Sequence, residues 1–563
     1  MEFHVLTELC NRLESESKRN VMIDFVAGFL KELNDEEVEP AVYMLLGRVF
    51  PRWDKRTLEI SWGLLRKIIR EITHVDERTF LKAFAESGDI GKTVETIFKR
   101  SKLERQETLF KAPLTILEVR RYLEEIAEAS GAGSRERKER LLKSLLGRVS
   151  PEDAKYIAKV ILGEMRTGFS EGLMEMAISK AFQIPLELVQ KASLLIGDIG
   201  EVAQKAKTGG EEAVRRIRFR FFRPMKPMLA QNATSLEEVL KEHGGQTALE
   251  YKLDGARIQI HKLKGEVKVF SRRLSEVTSS LPEVVELVSN EVPSKEVVLE
   301  GEVIAVGEAG NPLPFQHLMR RFRRIQNIEE MTRAIPIRLY LFDVLFLNGE
   351  LLINKAYMER RRLLSEVSGG INLTKQKIVD NVSEAEVFFD EAVSEGHEGL
   401  VAKRLDSPYM PGIRGKNWFK IKRTLEPLDL VIVAAEYGYG RRYRWLSDYY
   451  LAARDPETNG FLIVGKTFKG LTDEEIEWVT ERLKRLIVRE DGRRVIVQPR
   501  IVVEVAYNEI QRSPKYKCGM ALRFARITRI RDDKPVEEAD TIDRVREIYE
   551  RQFKEKARYR EEI

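Results

Sequence analysis

Apolar residues recur every three or four positions through the first 220 residues, and every second position through most of the remaining chain. The first spacing is that of a helix with one buried stripe. The second is that of a strand with one buried face. The stretch 7–34, TELCNRLESESKRNVMIDFVAGFLKELN, shows the helical period. Helix starts are predicted at Ser150-Pro151-Glu152-Asp153 and at Thr73-His74-Val75-Asp76. In each a hydroxyl residue stands three positions before an acid, close to a capping box. Strand-like alternation is scarce here, so residues 1–220 are predicted to form an all-helical domain.

The pattern changes near Arg220-Phe221-Phe222-Arg223-Pro224-Met225. Over 221–424 the runs VVLEGEVIAV, IRLYLFDVLFL and EGLVAKRL are strand-like, and SEAEVFFDEAVSEG is a helix with a glycine stop. This mixture predicts an α+β domain with antiparallel sheets. From 425 onward LDLVIVAAEYGYG, SDYYLAARD, FLIVGKTF and IVVEVAYNEI are strands joined by turns of Gly, Asp and Pro. One helix, TDEEIEWVTERLKRLI, interrupts them, and the tail DRVREIYERQFKEKARYREEI is a charged helix. A small β-barrel fits residues 425–563, with an OB-fold the natural candidate.

A chain of 563 residues suits this multidomain division. Charged residues make up 33% of it, against about 25% in ordinary globular proteins. Such enrichment fits a protein from a hot environment. The formal net charge of +6 only weakly favours an anionic partner, so local distribution has to decide. Cys10 and Cys518, the two cysteines, offer neither metal-ligand spacing nor a disulfide framework. A cytoplasmic protein is therefore expected. No apolar run approaches the roughly 20 residues that span a bilayer, so no membrane association is expected. The first residues, MEFHVLTELCNRLE, lack the basic-then-apolar pattern of a signal segment.

Candidate chemistry begins at LEYKLDGARIQI, where Leu249, Tyr251 and Leu253 alternate with Glu250, Lys252 and Asp254. Alone, K-x-D-G is the wet side of a hairpin turning at Asp254-Gly255. Downstream, Glu300-Gly301-Glu302 ends an apolar run, Glu398-Gly399 opens another, and Lys420 and Lys422 share one strand face. Each alone is ordinary edge solvation. Together they offer a lysine nucleophile, metal-binding carboxylates and further cations, the inventory for attacking a nucleotide phosphate.

The ordered series Lys252-x-Asp254-Gly255, Ser271-Arg272-Arg273, Glu300-Gly301-Glu302, Phe342-Asp343, Glu398-Gly399-Leu400-Val401-Ala402-Lys403, Trp418-x-Lys420-x-Lys422 and Arg529-x-Arg531-Asp532-Asp533-Lys534 resembles the motifs of covalent nucleotidyltransferases. That superfamily holds ATP-dependent DNA ligases, RNA ligases and mRNA capping enzymes. GYGRRYRWLSDYYLAARD and GKTFKGLTDEEIEWV are similar to the OB-fold domain of archaeal and eukaryotic replicative DNA ligases. The helical first 220 residues resemble their DNA-binding domain, so the resemblance covers essentially the whole chain. An RNA ligase or capping enzyme would share the motifs but lack the long helical domain. A non-catalytic DNA-binding scaffold would have lost motif residues that here are intact.

The resemblance implies nick sealing in duplex DNA through lysyl-AMP and then 5′-adenylated DNA, in replication, repair and recombination at the nucleoid. It makes Lys252 the nucleophile. A free lysine has a pKa of about 10.4, so only about one in 2,500 is neutral at pH 7. Lys420, Lys422 and Arg257 are the cations that would lower it, while the glutamates oppose them unless Mg2+ or Mn2+ neutralises their charge. Further implied roles are Glu250 and the backbone around Tyr251 at the adenine edge and Phe342 on the base. Arg257 and Arg272 would contact ribose or phosphates, Glu302 ribose or metal, and Glu398 metal. Arg414 would bind phosphates, Lys420 the α-phosphate, and Asp254 the nucleotide or nick end. Arg529, Arg531, Asp533 and Lys534 would close over ATP and orient pyrophosphate.

Nicked DNA is the implied partner, held largely through its backbone. The basic run Arg320-Arg321-Phe322-Arg323-Arg324 and the loop Arg166-Thr167-Gly168-Phe169-Ser170-Glu171 are each either a phosphate contact or a solvated helical segment. Gln106-Glu107-Thr108-Leu109-Phe110 resembles the sliding-clamp motif of archaeal replicative ligases, with Leu109 standing where a second aromatic often is. A monomer is expected.

Overall fold

The computed structural model describes residues 1–101, 113–233, 235–307, 310–313, 317–318, 335–422 and 425–557. They form two compact units: Met1–Phe80, Ile90–Phe389 and His397–Ile421 make one, and Leu81–Asp89, Asp390–Gly396 and Lys422–Ile563 the other.

Among the described residues, twelve helices precede the first strand. The helix Pro151–Leu162 begins as its sequence predicts: Ser150 Oγ accepts from the Asp153 N–H at 2.9 Å, and Pro151 needs no N–H partner in the first turn. The start predicted at Thr73 falls later. Thr73 is the last residue of the helix Trp62–Thr73, and its hydroxyl donates back to Ile69 O at 2.7 Å. His74, in the left-handed region, ends that helix. Asp76 then caps the helix Glu77–Ser87 by accepting from the Thr79 N–H at 2.9 Å. A carboxylate outcompetes a hydroxyl for this place because it is a stronger acceptor and favours the positive end of the helix.

Two sheets come next in the first unit. One has the order β1 (Leu229–Asn232), β10 (Arg414–Lys422), β9 (Gly399–Lys403), β2 (Thr247–Tyr251), β8 (Gln376–Val379). The other has the order β4 (Glu266–Ser271), β3 (Ala256–Leu263), β5 (Glu296–Ala305), β6 (Ile337–Leu347), β7 (Glu350–Leu351), with every pairing antiparallel. The second sheet buries both faces. Ile258, Ile260, Val297, Leu299 and Leu341 pack on one side. Val298, Phe342, Leu345 and Phe346 pack on the other, against Met225, Met228, Tyr409 and Trp418. This two-sided burial explains why VVL and LYLFDVLFL read as nearly unbroken apolar runs. Residues 252–255 carry the chain from β2 in the first sheet to β3 in the second, so K-x-D-G sits at the seam between them.

The second unit is strand-rich. β11 (Leu428–Tyr437) pairs with β12 (Leu446–Asp455) along one edge. Along the other it pairs first with β16 (Val502–Ala506) and then with β15 (Arg494–Val497). A strand that serves successive partners, with register shifts along it, bends as a curling sheet must. This matches the predicted C-terminal OB-fold. The helix Asp473–Lys484 and the tail helix Ile542–Ala557 place Val479, Leu483, Ile542, Val545 and Ile548 in the core, so the charged tail still has one apolar stripe. No helix among the described residues is long and apolar enough to cross a membrane.

Candidate active site

β2 is buried along its whole length and delivers Lys252 to the seam. The Lys252 N–H donates to Gly399 O at 2.8 Å, and the Glu398 N–H donates to Lys252 O at 3.0 Å. This two-way backbone clasp sets the two side chains together, and Lys252 Nζ forms an ion pair with Glu398 Oε2. Both glycines of these motifs are required by close approach. A Cβ on Gly399 would stand 2.2 Å from Ile421 O, and one on Gly255 would stand 2.3 Å from Val303 O. Gly255 is absent from the left-handed region, so the glycine serves packing of the seam against β5 rather than a hairpin turn.

Glu302 lies on β5 directly opposite Arg257 of β3. Its carboxyl is pushed up to about 7, chiefly by burial, with Lys252 and Arg257 opposing and Glu398 and Asp254 reinforcing the shift. Lys252, Asp254, Arg257, Glu302 and Glu398 thus share one electrostatic neighbourhood. Among the described residues no group of three His, Cys, Asp or Glu has metal-binding geometry. Two carboxylates are nevertheless the donor set that Mg2+ takes when phosphate oxygens and water complete its shell.

Arg257 is held at the ends of its fork. Nη1 donates to Met228 O at 2.7 Å; Nη2 donates to Glu300 Oε2 at 2.6 Å and to Tyr409 OH at 3.1 Å. Its guanidinium carbon lies 5.2 Å from the Phe342 ring centroid and 5.6 Å from that of Trp418. The Arg257 Nε–H is buried without a partner, as is the Trp418 Nε1–H. An unpaired interior donor costs about 1–3 kcal/mol. A nucleotide's ribose and phosphate oxygens are acceptors of the kind that would satisfy it, so these residues fit the expected ligand.

Glu250 is enclosed more tightly than a base-reading carboxylate at an open edge. It is 2% exposed; Oε2 pairs with Lys403 Nζ at 2.7 Å, Oε1 accepts from Tyr357 OH, and Arg361 stands 3.5 Å away. Lys403, whose pKa burial lowers, also donates to Phe342 O at 3.2 Å. Asp343 pairs with Arg360 in full burial at 2.8 Å. Sequence reasoning missed Tyr357, Arg360 and Arg361. Their helix, Tyr357–Val367, carries no strand or motif signal.

The remaining predicted cations differ in exposure. Arg272 is exposed just past β4, Arg414 is exposed at the start of β10, Lys420 is half-buried on β10 and Lys422 is exposed at its end. Within the second unit Arg529 is exposed on β19 (Arg526–Ile530). Arg531 Nη1 donates to both oxygens of Asp429, at 3.1 and 2.9 Å, while Nε and Nη2 face Asp533. Lys534 Nζ reaches Asp429 at 2.8 Å. Asp429 is a further residue that sequence reasoning missed. In the loop at Arg166, Ser170 caps the next helix, and Glu171 is taken by Arg48 and Lys226, each at 2.7 Å. That is the bonding of a packed helix connection. Gln106, Leu109, Phe110 and the run from Arg320 to Arg324 lie outside the described residues.

Residues 227–422 match the family model described as ATP dependent DNA ligase domain. Residues 2–179 match DNA ligase N terminus, and 442–534 match ATP dependent DNA ligase C terminal region. A DNA ligase of Thermococcus onnurineus (strain NA1) is 46% identical over 561 residues, covering 99% of each chain. DNA ligase 1 of Korarchaeum cryptofilum (strain OPF8) is 48% identical over 550 residues, covering 98% of each chain. A solved structure described as Pmar-Lig_PreS3 shares the fold with a TM-score of 0.58, at 17% identity, over 93% of this chain and 99% of that one.

Proposed function

Because the chain belongs to the ATP-dependent DNA ligase family, we propose that Lys252 is the nucleophile of its ATP-dependent DNA sealing. The observation that carries this reading is the seam geometry: Lys252 Nζ against Glu398, with Glu302 and Arg257 in the same electrostatic neighbourhood. In the first step the Nζ lone pair attacks the α-phosphorus of ATP. The bond to pyrophosphate breaks, and lysyl-AMP forms as the nitrogen sheds its protons. A nick's 5′-phosphate oxygen then attacks the same phosphorus and Lys252 departs as the amine. Finally the 3′-hydroxyl attacks the 5′-phosphate, AMP leaves, and the phosphodiester is closed.

Lys252 must part from Glu398 before it attacks, because an ammonium has no free lone pair. Glu398 and Glu302 would hold Mg2+ or Mn2+, which would supply charge neutralisation at the phosphates. Arg257 offers its Nε–H to ribose or phosphate. Phe342 supports the base, and Arg272, Arg414 and Lys420 take the phosphate side. Glu250 reads the adenine edge by exchanging one of its internal partners. Asp254 supports the nucleotide or nick end. The helical region, 1–220, grips duplex DNA by phosphate contacts, and the enzyme works as a monomer.

The test is direct. Full-length protein incubated with ATP, digested and mapped by mass, is expected to carry AMP on the peptide containing Lys252. AMP on another lysine overturns the assignment. A separate expectation concerns the sliding clamp, which we propose binds Gln106 in a small pocket and Leu109 with Phe110 in an apolar groove. Leu109→Ala combined with Phe110→Ala should abolish co-elution with the cognate clamp. Self-adenylation should stay within about two-fold of wild type, as expected for a contact outside the catalytic site. Unchanged co-elution would place the clamp contact elsewhere.

A further inference from the structure

β3 carries Arg257, Gln259 and His261 at alternate positions, hence on one face. A half-buried strand would turn that face to water. Instead it is covered by the segment 222–228, which leads from the last helix of the helical region to β1. The contacts form a ladder of side chain to backbone. His261 Nδ1 accepts from the Phe222 N–H at 3.0 Å. Gln259 Oε1 accepts from the Met225 N–H at 2.8 Å, and Gln259 Nε2 donates back to Met225 O at 3.3 Å. Arg257 Nη1 donates to Met228 O at 2.7 Å, and Tyr409 OH accepts from the Met228 N–H at 2.9 Å. Every second residue of the strand meets every third residue of the segment, in antiparallel order. Pro224 and Pro227 supply no N–H, so Met225 and Met228 are the donors immediately after each of them.

The polarity of this ladder is fixed. His261 is fully buried among Phe219, Phe221, Phe222 and Phe270, and burial pushes its pKa down to about 3. It is therefore neutral, with one lone pair and one N–H. The Phe222 N–H requires the lone pair at Nδ1, so Nε2 carries the hydrogen. That hydrogen points at Gln259 Oε1, 2.9 Å away. Gln259 Oε1 thus receives two donors, and the opposite amide orientation would set NH2 against both of them. The ladder has one arrangement, and its last rung is Arg257, whose Nε–H is buried without a partner.

We propose that Gln259 is a positioning residue for ATP binding: by anchoring Met225 it fixes the Met228 carbonyl, which orients the Arg257 guanidinium. The Gln259 Nε2 contact with Glu300 Oε1, at 3.5 Å, is too long to carry this directly, so the path runs through the segment's backbone. The inference rests on the proposed contact of Arg257 with the bound nucleotide. Lys252 and Glu398 are held by their own backbone clasp with β9, outside the ladder. Gln259 therefore acts on ATP affinity more than on transfer itself.

The test is a kinetic cycle on the full chain. Gln259→Leu keeps the side chain's size and removes every polar contact. It is expected to raise the KM for ATP in self-adenylation about 5- to 10-fold, with the rate at saturating ATP within about two-fold. In an Arg257→Lys background the same change should add less than about two-fold, because the residue through which it acts is already altered. A loss that is merely structural would multiply in full in both backgrounds, and that result overturns the proposal. So does an unchanged KM in folded Gln259→Leu. An unchanged KM in Arg257→Lys would instead overturn the placement of Arg257 at the nucleotide. Hydrogen exchange of the unmutated protein gives a second measurement that no folding defect can spoil. A non-hydrolysable ATP analogue should slow exchange at the Phe222 and Met225 amides, and unaltered exchange there counts against the coupling.

Discussion

Lys252→Ala is expected to yield no enzyme–AMP adduct, a drop of at least about 1,000-fold in self-adenylation. The geometry leaves no substitute nitrogen on the backbone clasp that joins residues 252 and 398–399. The same variant should retain sealing of a nick that already carries 5′-AMP, because the 3′-hydroxyl attacks DNA phosphate and the lysine is not bonded to either reactant. Stability should hardly change. The pair with Glu398 is about a quarter exposed on each side. Partly exposed pairs of this kind contribute about 1 kcal/mol, because desolvation of both charges offsets most of their attraction. A melting temperature within a few degrees of wild type, with the adduct gone and pre-adenylated nicks still closed, is the expected result. A labelled adduct in the alanine protein would show that another residue is the nucleophile.

How much of the site is visible in the sequence depends on how local each feature is. Lys252, Glu302 and Glu398 are visible as candidates because each is a charged residue at the end of a strand run, with a glycine within three positions. The glycines were visible too, although their reason was not: Gly255 and Gly399 are set by carbonyls of β5 and β10, distant in sequence. The polar face of β3 illustrates the limit. Alternation places Arg257, Gln259 and His261 on one face, but periodicity does not say what covers a face. Segment 222–228 covers this one, and the polar residues there are buried. Glu250 is a similar case. Its partners Tyr357 and Arg361 stand one helical turn apart on a helix whose sequence looks like any solvated helix. Nothing local in the sequence marks Asp429, yet it gathers two of the C-terminal cations. The shifted helix start at Asp76 has a local cause, because the sequence held two acceptable caps and the stronger acceptor took the place.

Arg531→Ala is expected to lower self-adenylation about 100-fold, the usual loss when one charged donor to a reacting phosphate is removed. Sealing of a pre-adenylated nick should stay within about three-fold, since pyrophosphate plays no part after the first step. The reason lies in how this guanidinium is shared. Its Nη1 goes to Asp429, which is largely buried, while Nε and Nη2 go to Asp533, which is half exposed. On the proposal that this segment orients pyrophosphate, a triphosphate would displace one of these carboxylates to reach the fork. The exposed Asp533 is the weaker hold, because its charge is hydrated when released. Asp429 would keep Nη1 and so aim the remaining donors. Lys534 shares Asp429 and offers a point charge rather than a planar fork, so Lys534→Ala should cost less, about 10-fold. The measurements are single-turnover labelling with ATP and ligation of adenylated nicks by the same preparations. Equal losses in the two assays would remove Arg531 and Lys534 from the first step and make their bonds to Asp429 a purely structural clasp of the β-barrel.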